Sequence, residues 1–199
     1  MTRIAIFIML VLISINAAFI IYAYKLEDEI KDFSLPATNG KTVSLADYTT
    51  SKGFIIIFTC NHCPYAKSYE ERIIELEKKY AMTYPVIAIN SNDAATYPDD
   101  SFEGMKKRAA QKKYPFAYLY DESQKVAKIF GAQKTPHVYL IHKENNKNVV
   151  KYVGAIDDNY KDASAVKKRY LEDAIAALDK GMEIPVKETK AIGCSIKWK

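Results

Sequence analysis

A buried run that ends on two cysteines constrains this chain more than any other feature. Phe54 to Thr59 reads as a continuous apolar stretch of strand length and leads directly into Cys60-Asn61-His62-Cys63-Pro64. A run without polar alternation predicts a central strand covered on both faces. After it, Tyr69, Ile73, Leu76 and Tyr80 recur at helical spacing, with Glu70, Glu71, Glu75 and Lys78 between them. Proline is tolerated only in a helix's first turn, so Pro64 places the helix start at the cysteine motif. Two thiols so close at a strand-to-helix junction can bridge, and the positive helix end favours thiolate on the N-terminal sulfur, Cys60. Thiolate is the nucleophile of disulfide exchange, so the pattern predicts a reversible two-electron switch. The third and last cysteine is Cys194, so no second C-x-x-C exists and a four-cysteine zinc site is excluded.

The 199 residues, 49% hydrophobic and 27% charged, suit one globular domain with modest extensions. The formal charge of +5 comes from lysines spread along the chain, without an arginine-rich block or a basic–aromatic stripe. That pattern reads as a solvated surface, and no nucleic-acid partner is expected. Residues 1–24 differ in kind: Arg3 precedes an uncharged apolar run from Ile4 to Tyr24 that ends at Lys25. Such a run is long enough to span a bilayer as a helix. Its alanines, Ala17, Ala18 and Ala23, make imperfect cleavage sites. An uncleaved anchor is therefore the first reading and a cleaved signal the second. Both place the rest of the chain outside the cytoplasm, where disulfide chemistry is at home.

The remaining pattern divides into a domain at 25–186 and a tail at 187–199 that carries Cys194. Lys25 to Lys31 reads as a charged, helix-compatible spacer. Phe33-Ser34-Leu35-Pro36 and Thr42-Val43-Ser44-Leu45 flank Asn39-Gly40, which predicts a hairpin with a primed turn. Strands are expected at 85–90, 116–120, 138–141 and 149–153, the last two joined by the polar turn Glu144-Asn145-Asn146-Lys147. Phe102, Met105 and Ala109 mark a helix that Asp99, Asp100 or Ser101 caps, and Val126, Ile129 and Phe130 a brief one closing at Gly131. Leu171, Ala174, Ile175 and Leu178 form a final helical stripe that stops at Gly181. Strands alternating with helices, then a strand pair and a last helix, predict an α/β sandwich around a mixed sheet.

Thr135-Pro136 stands between the helix end at Gly131 and an apolar strand. Together with the earlier C-x-x-C it resembles the thioredoxin superfamily, over roughly residues 32–180. The Phe33-x-Leu-Pro entry and the inserted helix near 100–112 resemble its redoxin branch, which includes peroxiredoxins and cytochrome-maturation thioredoxins. The resemblance implies a thioredoxin-like sandwich with an N-terminal hairpin extension and an inserted helix. It also implies that Pro136 is cis and packs against the dithiol, and that the backbone of Thr135 pairs with a substrate chain. Cys60 and Cys63 would be the catalytic pair. Departures are visible: Phe58-Thr59, not tryptophan, precedes Cys60, and neither cysteine has a threonine three positions before it as peroxiredoxins do.

His62 sits where C-x-H-C motifs of disulfide isomerases and periplasmic oxidants place a histidine; a partly charged imidazole there would stabilise the Cys60 thiolate. Asp93, after the second buried strand, is a candidate proton acceptor for Cys63, with a turn-capping role as its alternative. His137 and Cys194 are further accessory candidates, and His142 reads as a surface residue. These residues predict a thiol–disulfide oxidoreductase acting on dithiol or disulfide proteins, with no bound cofactor or metal. The expected place is the outer face of a bacterial inner membrane, or the periplasm if the first segment is cleaved. Two alternatives stand beside it. One is a copper chaperone using Cys60, Cys63 and His137, although such chaperones space their cysteines one residue further apart. The other is a thiol peroxidase with antioxidant activity.

Overall fold

The computed structural model describes residues 23–199, so the proposed anchor or signal, apart from its last two residues, lies outside the described residues. Among the described residues no helix is long and apolar enough to cross a membrane. The strands are β1 (Glu29–Ile30), β2 (Ser34–Pro36), β3 (Thr42–Ser44), β4 (Gly53–Phe58), β5 (Val86–Asn90), β6 (Ala117–Tyr120), β7 (Lys134–Thr135), β8 (His137–Glu144), β9 (Lys147–Gly154) and β10 (Cys194–Ser195). The helices are α1 (Pro64–Tyr80), α2 (Phe102–Lys112), α3 (Lys125–Phe130) and α4 (Tyr170–Asp179). A six-stranded sheet runs in the order β1-β9-β8-β4-β5-β6. Strands β4, β5 and β6 are parallel, whereas β8 is antiparallel to both β4 and β9.

Every residue of β4 is buried, as a strand with helices on both sides requires. The twofold alternation of a strand divides its side chains between two layers. Phe54, Ile56 and Phe58 meet Phe130 of α3, Leu119 and Tyr139 on one face. Ile55 and Ile57 meet Tyr69, Ile73 and Leu76 of α1 and Leu171 and Ile175 of α4 on the other. Each isoleucine so buried contributes roughly 1.5–3 kcal/mol, which makes β4 the mechanical centre of the domain. Met105 of α2 packs on Ala88 and Tyr118, extending the second face to the β5–β6 edge.

Two local expectations change. Lys25 to Lys31 is a turn followed by edge strand β1, held by pairing with β9 (Glu29 opposite Val149), which overrides the charged composition. The β2–β3 hairpin does not use a primed turn. Gly40 N–H donates to Ala37 O (3.0 Å) and only Gly40 (φ 82°), not Asn39, is left-handed. That is a loop of ordinary turn plus glycine bulge. The two-residue primed turn lies at Asn145 (φ 49°) and Asn146 (φ 62°), between β8 and β9. The segment 187–199 is folded onto the domain: Val153 N–H donates to Lys187 O (3.0 Å), and β10 pairs with β7.

Sheet register positions the site. Parallel β4 and β5 end on the same edge, where Cys60 and Asn90-Ser91-Asn92 follow. Antiparallel β8 starts there, because Phe58 is opposite His137. Thr135-Pro136 therefore arrives beside the cysteine motif, some seventy residues away in sequence.

Candidate active site

Pro64 is the first residue of α1, and Cys63 is its N-cap. This corrects the expected placement of the helix's positive end: it faces Cys63 more directly than Cys60. Both cysteines are buried, Cys60 at 4% exposure and Cys63 at 0%, so Cys60 is the residue of the pair that keeps any solvent access. All three cysteines are free thiols. The Thr135–Pro136 peptide is cis. The Cys60 thiol donates to Thr135 Oγ1 (3.3 Å) and the Cys63 thiol to Thr135 O (3.4 Å), so one residue addresses both sulfurs.

When one proton leaves this pair, the charge belongs on Cys63. The Cys60 thiol donating to it, then the Cys194 thiol and the N–H groups of Ala66 and Cys194, hold Cys63 down to about 4 against its burial. Cys60 is pushed up by its hydrogen bond with Cys63, by burial and by the negative Asp100 carboxylate. Reaction at Cys60 therefore needs its proton to pass to Cys63, and Thr135 Oγ1 can turn to donate to the resulting Cys60 thiolate. One thiolate per reduced chain should persist from neutral pH down to about 4, read by its ultraviolet absorbance and absent from the disulfide form. Absorbance that develops only above about pH 8, as for an ordinary thiol, would contradict this electrostatic picture.

Asp100, which sequence patterning treats as one of three helix-cap candidates, is instead fully buried beside the motif. It accepts from Asn61 N–H (2.6 Å) and Asn92 Nδ2 (2.9 Å), and its Oδ2 pairs with His62 Nδ1. Ser101 performs the capping, accepting from Gly104 N–H (3.2 Å). Nothing local distinguishes Asp100 from Asp99; only the return of the chain to the β5 edge does. Asn61 is tied down further by donating to Asp99 O (2.6 Å) and accepting from Tyr118 OH (2.9 Å). The ring of His62 stacks on Tyr97 with centroids 4.3 Å apart.

The other candidates separate. Asp93 occupies its capping alternative: its carboxylate accepts from Ala95 N–H (3.1 Å) and Thr96 Oγ1 (2.7 Å), which hold it below the usual carboxylate range. His137 accepts from Gln133 N–H (3.3 Å) and packs on Tyr139, and burial lowers it to about 4. His142 is partly buried, its Nδ1 paired with Tyr84 OH (3.0 Å), where a surface position was expected. Cys194 packs against Cys60, Cys63 and Ala66. Cys60, His62 and Asp100 present ligand atoms within 4.8 Å of one another, the one such trio among the described residues. Both Asp100 oxygens are already engaged by protein donors, so the trio reads as a hydrogen-bonded network around the thiol, and His137 is not part of it.

A dithiol at a strand-to-helix junction, faced by a cis-proline loop on a mixed six-stranded sheet, defines a thioredoxin-like redoxin. The chain belongs to the AhpC/TSA family, whose model matches residues 26–153. Among solved structures it is similar to an uncharacterized conserved protein from Geobacillus kaustophilus, at 38% identity and a TM-score of 0.80, covering 88% of this chain and 93% of that one. A hypothetical protein from Sinorhizobium meliloti 1021 follows at 32% and 0.80, covering 89% and 97%. A third, described as a candidate thiol:disulfide interchange protein DsbE from Chlorobium tepidum, is 25% identical with a TM-score of 0.59, covering 78% and 98%. No curated protein matches the chain. These findings support a redox enzyme with a thioredoxin-like fold.

Proposed function

We propose that the chain is a thiol–disulfide oxidoreductase that exchanges disulfides with exported dithiol or disulfide proteins through Cys60 and Cys63. The observation that carries this reading is Thr135, whose side chain meets Cys60 and whose carbonyl meets Cys63 at the cis-proline loop. In reduction, the Cys60 thiolate attacks a partner disulfide, forms a mixed disulfide and expels one partner thiolate. Cys63 then attacks the Cys60 sulfur, expelling the second partner thiolate and closing the Cys60–Cys63 bridge. Run backwards, the same steps oxidise a partner dithiol. Export and tethering to the outer face of an inner membrane rest on the apolar run of residues 4–24. Insulin reduction with metal analysis of the reduced protein tests the reading. Catalysed reduction by metal-free protein supports it; no catalysis and one bound copper per chain would favour a metal-handling role instead.

His62 is assigned a tuning role, because its ring pairs with the Asp100 carboxylate beside Cys60. In His62→Ala that carboxylate loses its ring partner and faces the dithiol directly, which disfavours the thiolate carried by the reduced pair and so the reduced state. We expect the disulfide to become harder to reduce by a few tens of millivolts, about 30 mV for each 1.4 kcal/mol. Equilibration with glutathione buffers measures it, and a shift in the oxidising direction would reverse the role of the histidine.

A further inference from the structure

The dithiol has a third thiol for a neighbour, delivered by a strand. In β10, Cys194 is in register with Thr135 and Ser195 with Lys134, antiparallel. The tail thus lies along the backbone edge that the thioredoxin-like reading reserves for a substrate chain. It is fastened beyond Cys194 by Ile196 N–H to Gln133 O (3.0 Å), Lys197 N–H to Asn92 Oδ1 (2.8 Å) and Gln124 Nε2 to Lys197 O (2.8 Å). Gly193 makes the approach possible: a Cβ there would stand 2.2 Å from Thr135 O. Cys194 is therefore not an isolated thiol, since it packs on the Cys60–Cys63–Ala66 cluster and its thiol and N–H are among the groups that hold Cys63 down.

We propose that the C-terminal strand is an internal substrate of this site, and that Cys194 is a third redox residue that exchanges with the Cys60–Cys63 disulfide to form a Cys63–Cys194 bridge. This rests on the oxidoreductase reading, because the first bridge must form for the second to follow. The Cys194 thiolate attacks the Cys63 sulfur, the Cys63–Cys194 bond forms, the Cys60–Cys63 bond breaks, and Cys60 leaves as thiolate. The proton lost by Cys194 balances the one Cys60 can take up, and no outside oxidant is consumed. Cys194 rests as a thiol while Cys63 is reduced, because burial, then hydrogen bonding and repulsion from the Cys63 sulfur raise it to about 11, against Lys197 and Lys134. Oxidation of Cys63 removes the last two causes and leaves the lysines, so the tail thiol becomes a better nucleophile when exchange is called for. The outcome stores the disulfide on the half-buried tail and frees Cys60 for a further partner.

The test labels the single free thiol of the oxidised full chain. The protein is oxidised in glutathione buffer, freed of oxidant, alkylated, digested and mapped by mass spectrometry. We expect label on both Cys194 and Cys60 in the wild type, with Cys63–Cys194 linked peptides present, and no label on Cys60 in oxidised Cys194→Ser. In Gly193→Ala the added Cβ pushes the strand away from Thr135. The Cys63–Cys194 bridge should then fall by about tenfold or more as the local thiol concentration drops, while Cys60–Cys63 still forms. Label confined to Cys194 in the wild type, with the Cys60–Cys63 bridge present, would overturn this proposal and leave the oxidoreductase reading standing. Failure to form Cys60–Cys63 in any buffer would overturn both. An undiminished Cys63–Cys194 bridge in Gly193→Ala would refute the role given to the strand.

Discussion

Cys60→Ser is expected to abolish disulfide exchange, with a loss on the order of a thousandfold or more, whereas Cys63→Ser should accumulate covalently trapped partners. The asymmetry follows from position. Cys60 keeps 4% exposure beyond the end of β4, while Cys63 has none under the first turn of α1, so Cys60 is the more open of the two to a partner sulfur. A serine at 60 offers no usable thiolate to a partner disulfide. A serine at 63 leaves that attack possible but removes the sulfur that resolves the mixed disulfide. It also removes the hydrogen-bonded sulfur that contributes most to raising Cys60, so the remaining thiol should ionise more readily. Turnover with insulin and non-reducing electrophoresis of chains exposed to partner disulfides would read the two effects. Equal loss in both variants, with no trapped species, would contradict the assigned order of attack.

Asp100→Ala should be the most destabilising single change at the site. It leaves the Asn61 N–H, Asn92 Nδ2 and His62 Nδ1 without their buried acceptor. Removing one partner from a buried network of this kind costs about 3–5 kcal/mol. For a chain of this size that is a fall in melting temperature of about 10 °C. The functional sign is opposite. Without that negative charge beside the dithiol, the thiolate carried by the reduced pair is favoured and the disulfide becomes easier to reduce. Asp100→Asn separates the two effects, because it keeps an acceptor for Asn61 but not the charge: part of the stability returns while the potential stays shifted. Thermal unfolding and potential measurements on both variants check this, and unchanged stability in Asp100→Ala would refute the network's structural role.

Much of the frame was legible because local chemistry dictates it. An unbroken apolar run requires cover on both faces, Pro64 can only open a helix, and the left-handed glycines at 131 (φ 69°) and 181 (φ 65°) stand at helix ends. Thr135-Pro136 was legible as a partner for the cysteines through resemblance, and sheet register explains how it reaches them. What patterning missed depends on distant parts of the chain. Asp100 looks like a surface cap until α2 packs beneath Ala88 and Tyr118 and closes it against Asn61. Glu29-Ile30 looks like spacer until β9 offers an edge. The in-register pairing of the tail with Thr135 was not legible, because it depends on Gly193 having no Cβ at a backbone contact. The site electrostatics favour a thiolate on Cys63 over Cys60 for the same kind of reason: the hydrogen bond from the Cys60 thiol, and then that from the distant Cys194, hold Cys63 down.

The central claim is that Cys60 and Cys63 form a reversible disulfide, and equilibration of the full chain with graded glutathione buffers tests it most directly. Acid quenching, thiol blocking and mass mapping would then report the bridged fraction at each ratio. A Cys60–Cys63 bridge is expected to form and open along a single reversible two-electron curve, approached identically from the reduced and oxidised sides. Two cysteines that stay free at every ratio, or that carry only separate glutathione adducts, would contradict it.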